Sequence, residues 1–363
     1  MSAEPLSIDV GPLRSVSHFH YMIARQLSDL RAAVMSTPQR RIEWDLTSVD
    51  FDLRLSTAAL TCFLAFASQV RQSFRDIPVA NIDWNPRLQG FWKDIGVFDV
   101  VRKMDILEWP AGLVGGFESH GIHPSSWINI YQRPSATPEY GDDDWGKYKD
   151  HYRELLFADV SLHLDETLTA WERRLNAPGR LKRRLIENLA ELILNSWTWG
   201  GASAFVGIQH TRNRLTAAVV DTGKGFYHSI SSRAMDPAGA LSRLPVVSDD
   251  LEAIMLGCIL NHEVYALRGA LHFVLTHGGW AVVASNSGEL RLEKGLWDRV
   301  VSLFPSPIDR STLSIDSVKQ AFGEPINLRG ATADERRIGY ARQWHEKLVG
   351  SRVVFELAVE VAD

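Results

Sequence analysis

The sequence predicts a mixed α/β protein built in two parts, and three observations carry that reading. Strands and helices alternate over residues 16–96, the pattern of a βαβ sheet. Leu185, Leu189, Leu192 and Ile193 recur at helical spacing, with Glu191 and Asn195 four apart on one face. An apolar strand, Leu215–Val220, then runs into Asp221-Thr222-Gly223-Lys224-Gly225-Phe226, beginning 26 residues after Asn195.

The bulk properties set the frame. A chain of 363 residues is long enough for two domains of roughly 100–200 residues each. Hydrophobic content of 45% and charged content of 23% are those of an ordinary globular protein. A net charge of −5 gives no long-range attraction to nucleic acid. The two cysteines, Cys62 and Cys258, sit in apolar surroundings far apart in sequence and read as reduced core thiols. The first residues lack a basic stretch followed by an apolar one, so no signal peptide is expected. No run reaches the roughly 18 apolar residues of a membrane span. The expected location is cytoplasmic.

Taken in order, residues 16–36 predict one helix with apolar positions at Met22, Ile23, Leu27, Leu30 and Val34. Arg41–Leu46 predicts a strand. A helix follows from about Ser56 to Arg71, with Ser56 or Thr57 as its N-cap. Pro78–Asp83 reads as a second strand, and Arg87–Ile95 as a short helix stopped by Gly96. These place an α/β domain at 1–105. Prolines and glycines then interrupt residues 104–148, leaving Trp127–Tyr131 as one strand in a linker, 106–149. The second domain spans 150–363. It opens on a helix at 150–175 and continues through the Glu191–Asn195 helix. The stretch Gly200–Ile208 reads as a turn into a strand. Residues 292–348 separate the last two strands by more than fifty residues and predict helices of their own.

The chemistry concentrates at the second and third opening observations. A carboxylate and a carboxamide on one helix face supply hard oxygen ligands, and a glycine-hinged turn lets backbone approach a ligand closely. This pairing resembles the ATP-binding domain shared by gyrase, heat-shock chaperones, histidine kinases and mismatch-repair proteins, the GHKL or Bergerat fold. Glu191 and Asn195 match its N box, Glu-x-x-x-Asn. Asp221, Gly223 and Gly225 match its G1 box, Asp-x-Gly-x-Gly. Arg268-Gly269-Ala270-Leu271 resembles a second glycine box with its second glycine replaced, and Gly350-Ser351 resembles the family's closing Gly-Thr strand. The family commonly carries a histidine after the N box where this chain has Trp197 and Trp199.

The resemblance implies a helix layer on a mixed sheet, with residues 226–267 as a flexible lid and Ser248 as N-cap of its second helix. It implies ATP and Mg²⁺ as cofactors. Glu191 would be the general base and Asn195 the Mg²⁺ ligand, while Asp221 would accept the adenine amino hydrogen. Gly223, Gly225, Gly269 and Ser351 would shape the nucleotide site, with Lys224 and Arg268 as phosphate contacts. Ordinary readings stand beside these: a surface glutamate, a turn aspartate, a solvated turn lysine, and an arginine paired elsewhere.

In the first domain, Asp45-Leu46-Thr47-Ser48-Val49-Asp50-Phe51 resembles the STAS domain of anti-sigma-factor antagonists. Ser56 then falls near the serine which that family phosphorylates, with Arg54 beside it. The family's Asp-Ser-Ser-Gly is replaced by Leu53-Arg-Leu-Ser-Thr-Ala, so Ser56 also reads as a plain helix cap. His18-x-His20 and His120-x-x-His123 have loose metal spacing, without cysteine partners, and zinc is not expected.

The function these readings imply is a slow ATPase serving as a nucleotide-dependent switch in a bacterial regulatory or defence complex. The alternatives are an anti-sigma-type serine/threonine kinase acting on a STAS domain, and a nucleotide-binding module without turnover. A protein partner or a second copy of the chain is expected; nucleic acid and membrane are not.

Overall fold

The computed structural model describes residues 5–36, 41–49, 55–73, 77–110, 125–136, 145–175, 180–211, 214–234, 244–260, 267–306, 308, 312–323 and 339–358. The chain divides into two compact units, 1–130 with 205–209, and 131–204 with 210–363. The division at 130/131 falls inside the stretch 106–149 read as a linker, and most of the linker's strand belongs to the first unit. The architecture is mixed α/β in both.

In the first unit β1 (Leu6–Asp9), β2 (Ile42–Asp45) and β3 (Val79–Asn81) form a parallel sheet in the order β1-β2-β3. The helices are α1 (Val16–Ala24), α2 (Leu27–Ser36), α3 (Thr57–Ser73), α4 (Pro86–Asp94) and α5 (Val97–Met104). Two further strands, β4 (Ser126–Tyr131) and β5 (Ala204–His210), are hydrogen-bonded neighbours. The core centres on Trp44, fully buried and edge-on to Phe63 and Phe66 at 5.5 and 5.8 Å. Small residues let α3 bury nearly its whole circumference.

The expected single helix over 16–36 is two helices. Gln26 at the break donates to the carbonyls of Met22 and Asp9 and accepts from the Asp9 N–H at 2.9 Å. Those bonds to β1 replace continued helix. A second difference lies at Gly96. It does end a helix, but in a left-handed conformation (φ 89°) from which α5 starts at once.

In the second unit α6 (Trp145–Leu175) and α7 (Arg180–Asn195) pack together, and α7 runs into a π-helical turn, Ser196–Gly200. Then follow β6 (Arg214–Asp221), α8 (Gly225–Ala234), α9 (Asp250–Ile259), α10 (Leu267–Thr276), β7 (Trp280–Glu293), α11 (Lys294–Leu303), α12 (Ile315–Phe322) and β8 (Gly339–Ala358). Strand β8 lies antiparallel between β6 and β7, with Val353 opposite both Val219 and Val283.

The last two strands extend further than expected, pairing out to Leu292 and Gly339. The appendage between them is thus 294–338 and carries α11 and α12. The ribbon they form is sharply bent. Register shifts fall between Ser285 and Gly288, and Asn286 sits at φ 46°. Eleven residues of straight strand would span roughly 36 Å, yet the Arg291 guanidinium lies 4.5 Å from the Trp280 ring centre.

Within residues 226–267, α9 is buried along its whole length. Its N-cap is Asp249, not Ser248. Asp249 accepts from the Glu252 N–H at 2.8 Å, while the Ser248 N–H and hydroxyl both bond the Glu252 carboxylate. Residues 235–243 and 261–266 of that segment lie outside the described residues. Among the described residues no helix is long and apolar enough to cross a membrane.

Candidate functional site

The second unit holds an open pocket beside the end of α7. Its walls come from α7 and the π turn (Leu192, Asn195, Ser196, Trp199, Gly200), from β6 and β8 (Val219, Asp221, Ser351, Val353), and from Gly225, Phe226, Ser229 and Leu267. Asn195, Asp221, Gly225 and Ser351, picked from sequence, all line it.

Asp221 ends β6 and is 6% exposed. Its Oδ1 accepts the Gly223 N–H at 2.8 Å and the Ser351 N–H at 3.3 Å. Burial pushes its carboxyl up to about 6, opposed by those two N–H groups, by Ser196 and by the charge of Arg352. When ionised, the group is an acceptor only.

The glycines answer to backbone crowding. A Cβ on Gly223 would stand 2.2 Å from the Gly200 carbonyl oxygen. The turn and the π segment touch backbone to backbone there, and the Lys224 N–H donates to that same oxygen at 3.1 Å. Gly225 has φ +78°, and a Cβ on it would meet Ser285 Oγ and Asn286 Nδ2 at 2.6 Å. Phe226 N–H then bonds Ser285 Oγ at 2.9 Å.

Asn195 is the last residue of α7. Its side-chain oxygen is buried in the pocket wall and has no hydrogen-bond partner among the described residues. A buried polar atom left unpaired costs about 1–3 kcal/mol. A carboxamide oxygen is a hard donor suited to Mg²⁺.

The other picks fall elsewhere. Glu191, one turn before Asn195, does not line the pocket; its carboxylate is ion-paired to Arg153 on α6. Lys224 is exposed on the turn. Arg268 is a correction as a phosphate contact. It is buried, with Nη1 donating to the Ile259 carbonyl at 2.8 Å and Nη2 to that of Phe304 at 2.5 Å. It ties α10 to α9 and α11. Gly269 beside it lies in the first turn of α10, outside the pocket wall. Sequence reading missed Ser196, Trp199, Phe226, Ser229 and Leu267. The i, i+4 face of Asn195 carries the signal for Trp199, and none is evident for Ser229.

Comparison of the chain with family models, with curated proteins and with solved structures gave no match in any of the three. The reading of this site therefore stands on its residues and geometry.

Among the described residues no group of three or more His, Cys, Asp or Glu is placed to hold a metal; His120 and His123 lie outside them. In the first unit, Ser56 caps α3: its Oγ accepts the Ala59 N–H at 3.2 Å and its carbonyl accepts from Leu60. Thr57 is buried. Arg54 lies outside the described residues. Ser56→Ala is expected to lower stability by about 1 kcal/mol, read by denaturant melting, with no change in intact mass of the parent protein after incubation with Mg·ATP. Added phosphate that Ser56→Ala abolishes would replace the cap by a modification site.

Proposed function

We propose that the second unit binds ATP with Mg²⁺ in the Asp221 pocket and works as a nucleotide-dependent switch within a protein complex. One observation carries the reading: a single pocket holds a buried carboxylate and a buried, unpartnered carboxamide oxygen, Asp221 and Asn195. The two ask for different things. Asp221 calls for a donor, which the amino group of adenine supplies. Asn195 calls for a cation or a donor.

Leu192, Trp199, Phe226, Leu267 and Val353 surround these groups with apolar surface, suited to a planar base and to excluding water. Among the described residues the pocket wall contains no lysine or arginine. Charge compensation for phosphates thus falls to the metal, which accompanies phosphates with one or two protein ligands and several waters. Bound Mg²⁺ would supply that positive charge, with Asn195 Oδ1 as its protein ligand.

Asn195→Ala is expected to weaken ATP binding about tenfold when Mg²⁺ is present, the cost of one charge-assisted contact, and to leave metal-free binding unchanged. Titration calorimetry with and without Mg²⁺ reads both. Equal losses under the two conditions would remove the metal role.

A second reading, binding without turnover, is favoured by the ion pair that occupies Glu191. Labelled γ-phosphate ATP separates the outcomes: free phosphate for an ATPase, labelled protein for a kinase, neither for a binding module. For the first unit we propose a STAS-like interaction domain. Support comes from the order strand, Asp45-Leu46-Thr47 turn, capped helix, with Asp45 Oδ1 accepting from the Thr47 N–H and hydroxyl.

A further inference from the structure

The helix that carries Asn195 into the pocket carries Glu191 to a different neighbour. Its carboxylate, 14% exposed, takes the Arg153 Nε–H of α6. Arg153 also holds Asp150, one turn back on its own helix, through Nη1 at 2.7 Å. Asp150 is 77% exposed. Lys149 is the fourth member. Burial pushes its ammonium down, while the charge of Glu191 acts in the opposite sense. Two cations on α6 thus face one half-buried carboxylate on α7, and neither lines the nucleotide pocket.

An acceptor held in this way is a poor base. One of its oxygens already takes the Arg153 N–H, and the side chain is turned to α6, outside the pocket wall. A general base must also come within hydrogen-bond reach of the water it activates. We propose that Arg153 is a positioning residue that latches Glu191 away from the nucleotide, so that turnover requires Arg153 to let go and pair with Asp150 alone. The two states differ in which carboxylate the guanidinium serves. Asp150 gives the released arginine a ready partner, which keeps the open state accessible. Hydrolysis is then set by the packing of α6 on α7 and not by nucleotide affinity. This inference rests on the Asp221 pocket being an ATP site.

The test uses the full chain. Arg153→Gln is expected to raise kcat for phosphate release about tenfold or more, the weight of one charge-assisted hydrogen bond. KM and calorimetric affinity for Mg·ATP should stay within about twofold of the parent, since Arg153 does not line the pocket. Arg153→Lys keeps a cation on Glu191 and is expected to stay near the parent rate. Adding Glu191→Gln to Arg153→Gln should abolish the gain. Asp150→Asn alters an exposed side chain, threatens folding least, and is expected to lower kcat by taking away the alternative partner.

An Arg153→Gln protein that binds Mg·ATP but turns over no faster than the parent overturns the latch alone. So does a gain that survives Glu191→Gln, or a rise in kcat with Asp150→Asn. Absence of ATP binding by the parent chain overturns the nucleotide reading, and the latch with it.

Discussion

Asp221→Asn is expected to lose ATP more than tenfold and, in the same protein, to raise the melting temperature of the unliganded chain at pH 7.5. The binding loss follows from hydrogen-bond direction. The Gly223 and Ser351 N–H groups both point at Oδ1, so a carboxamide must place its oxygen there. Its NH₂ then takes the other position, where an adenine amino group finds a donor in place of an acceptor. A hydrogen bond to a charged group contributes about 1.5–3 kcal/mol, hence the tenfold or greater loss. The same NH₂ suits a purine carbonyl, so inosine triphosphate should bind the variant better than ATP does.

The stability gain has the opposite origin. The folded carboxyl is raised from 3.8 to about 6, so the native state binds the proton more tightly than the unfolded chain. Stability from that proton is fully present below pH 3.8 and is lost as pH rises through about 6. At pH 7.5 the buried charge costs on the order of 3 kcal/mol, which the amide relieves. The variant's advantage should therefore shrink as the pH is lowered from 6 toward 4. Unchanged ATP affinity would sink the site; a variant less stable than the parent at pH 7.5 would sink the burial argument.

Gly223→Ala carries the second large effect. The added methyl would lie 2.2 Å from the Gly200 oxygen and 2.6 Å from its carbonyl carbon, and no side chain is there to swing aside. The turn must separate from the π segment, breaking the Lys224 to Gly200 hydrogen bond and shifting Asp221. A stability loss of about 1–3 kcal/mol and an ATP affinity down by more than tenfold are expected. Gly90→Ala is the control. It sits within α4, and a methyl there meets nothing within 4 Å, so it should stabilise by about 0.5–1 kcal/mol. Chemical denaturation and calorimetry on both variants decide the matter. A Gly223→Ala protein that melts and binds like the parent would show that the contact is not tight.

What the sequence made legible follows from how local each signal is. The apolar spacing of α7, the run of β6 and the glycines of the turn are encoded within a dozen residues, and they located Asn195, Asp221, Gly223 and Gly225. The partners of Glu191 and Arg268 are set by packing. Arg153 is 38 positions from Glu191, and one carbonyl acceptor of Arg268 is 36 positions away. Nothing in the spacing of the N box or the glycine box predicts either. The break at Gln26 has the same cause, since its side chain bonds Asp9, 17 positions away, as well as Met22 of its own helix. Ser248 and Asp249 are both good caps, and the choice rests on which side chain accepts the Glu252 N–H: Asp249 does, while Ser248 donates to the Glu252 carboxylate.

The folded-back ribbon has a consequence for the appendage it carries. The bend at Asn286 returns the far end of β7 toward its start, and Asp250, at the head of α9, is bound at that bend by Asn286 and by the N–H and hydroxyl of Ser287. The chain leaves the ribbon through α11 and comes back along α12, which packs on α9 and fastens to it through Lys319 and Glu252 at 3.0 Å. These contacts close a ring: corner, α11, α12, α9, corner. The residues that interrupt the last two strands in chain order are the ones that finish walling in a helix lying well before them, and α9 owes its complete burial to chain that is made after it.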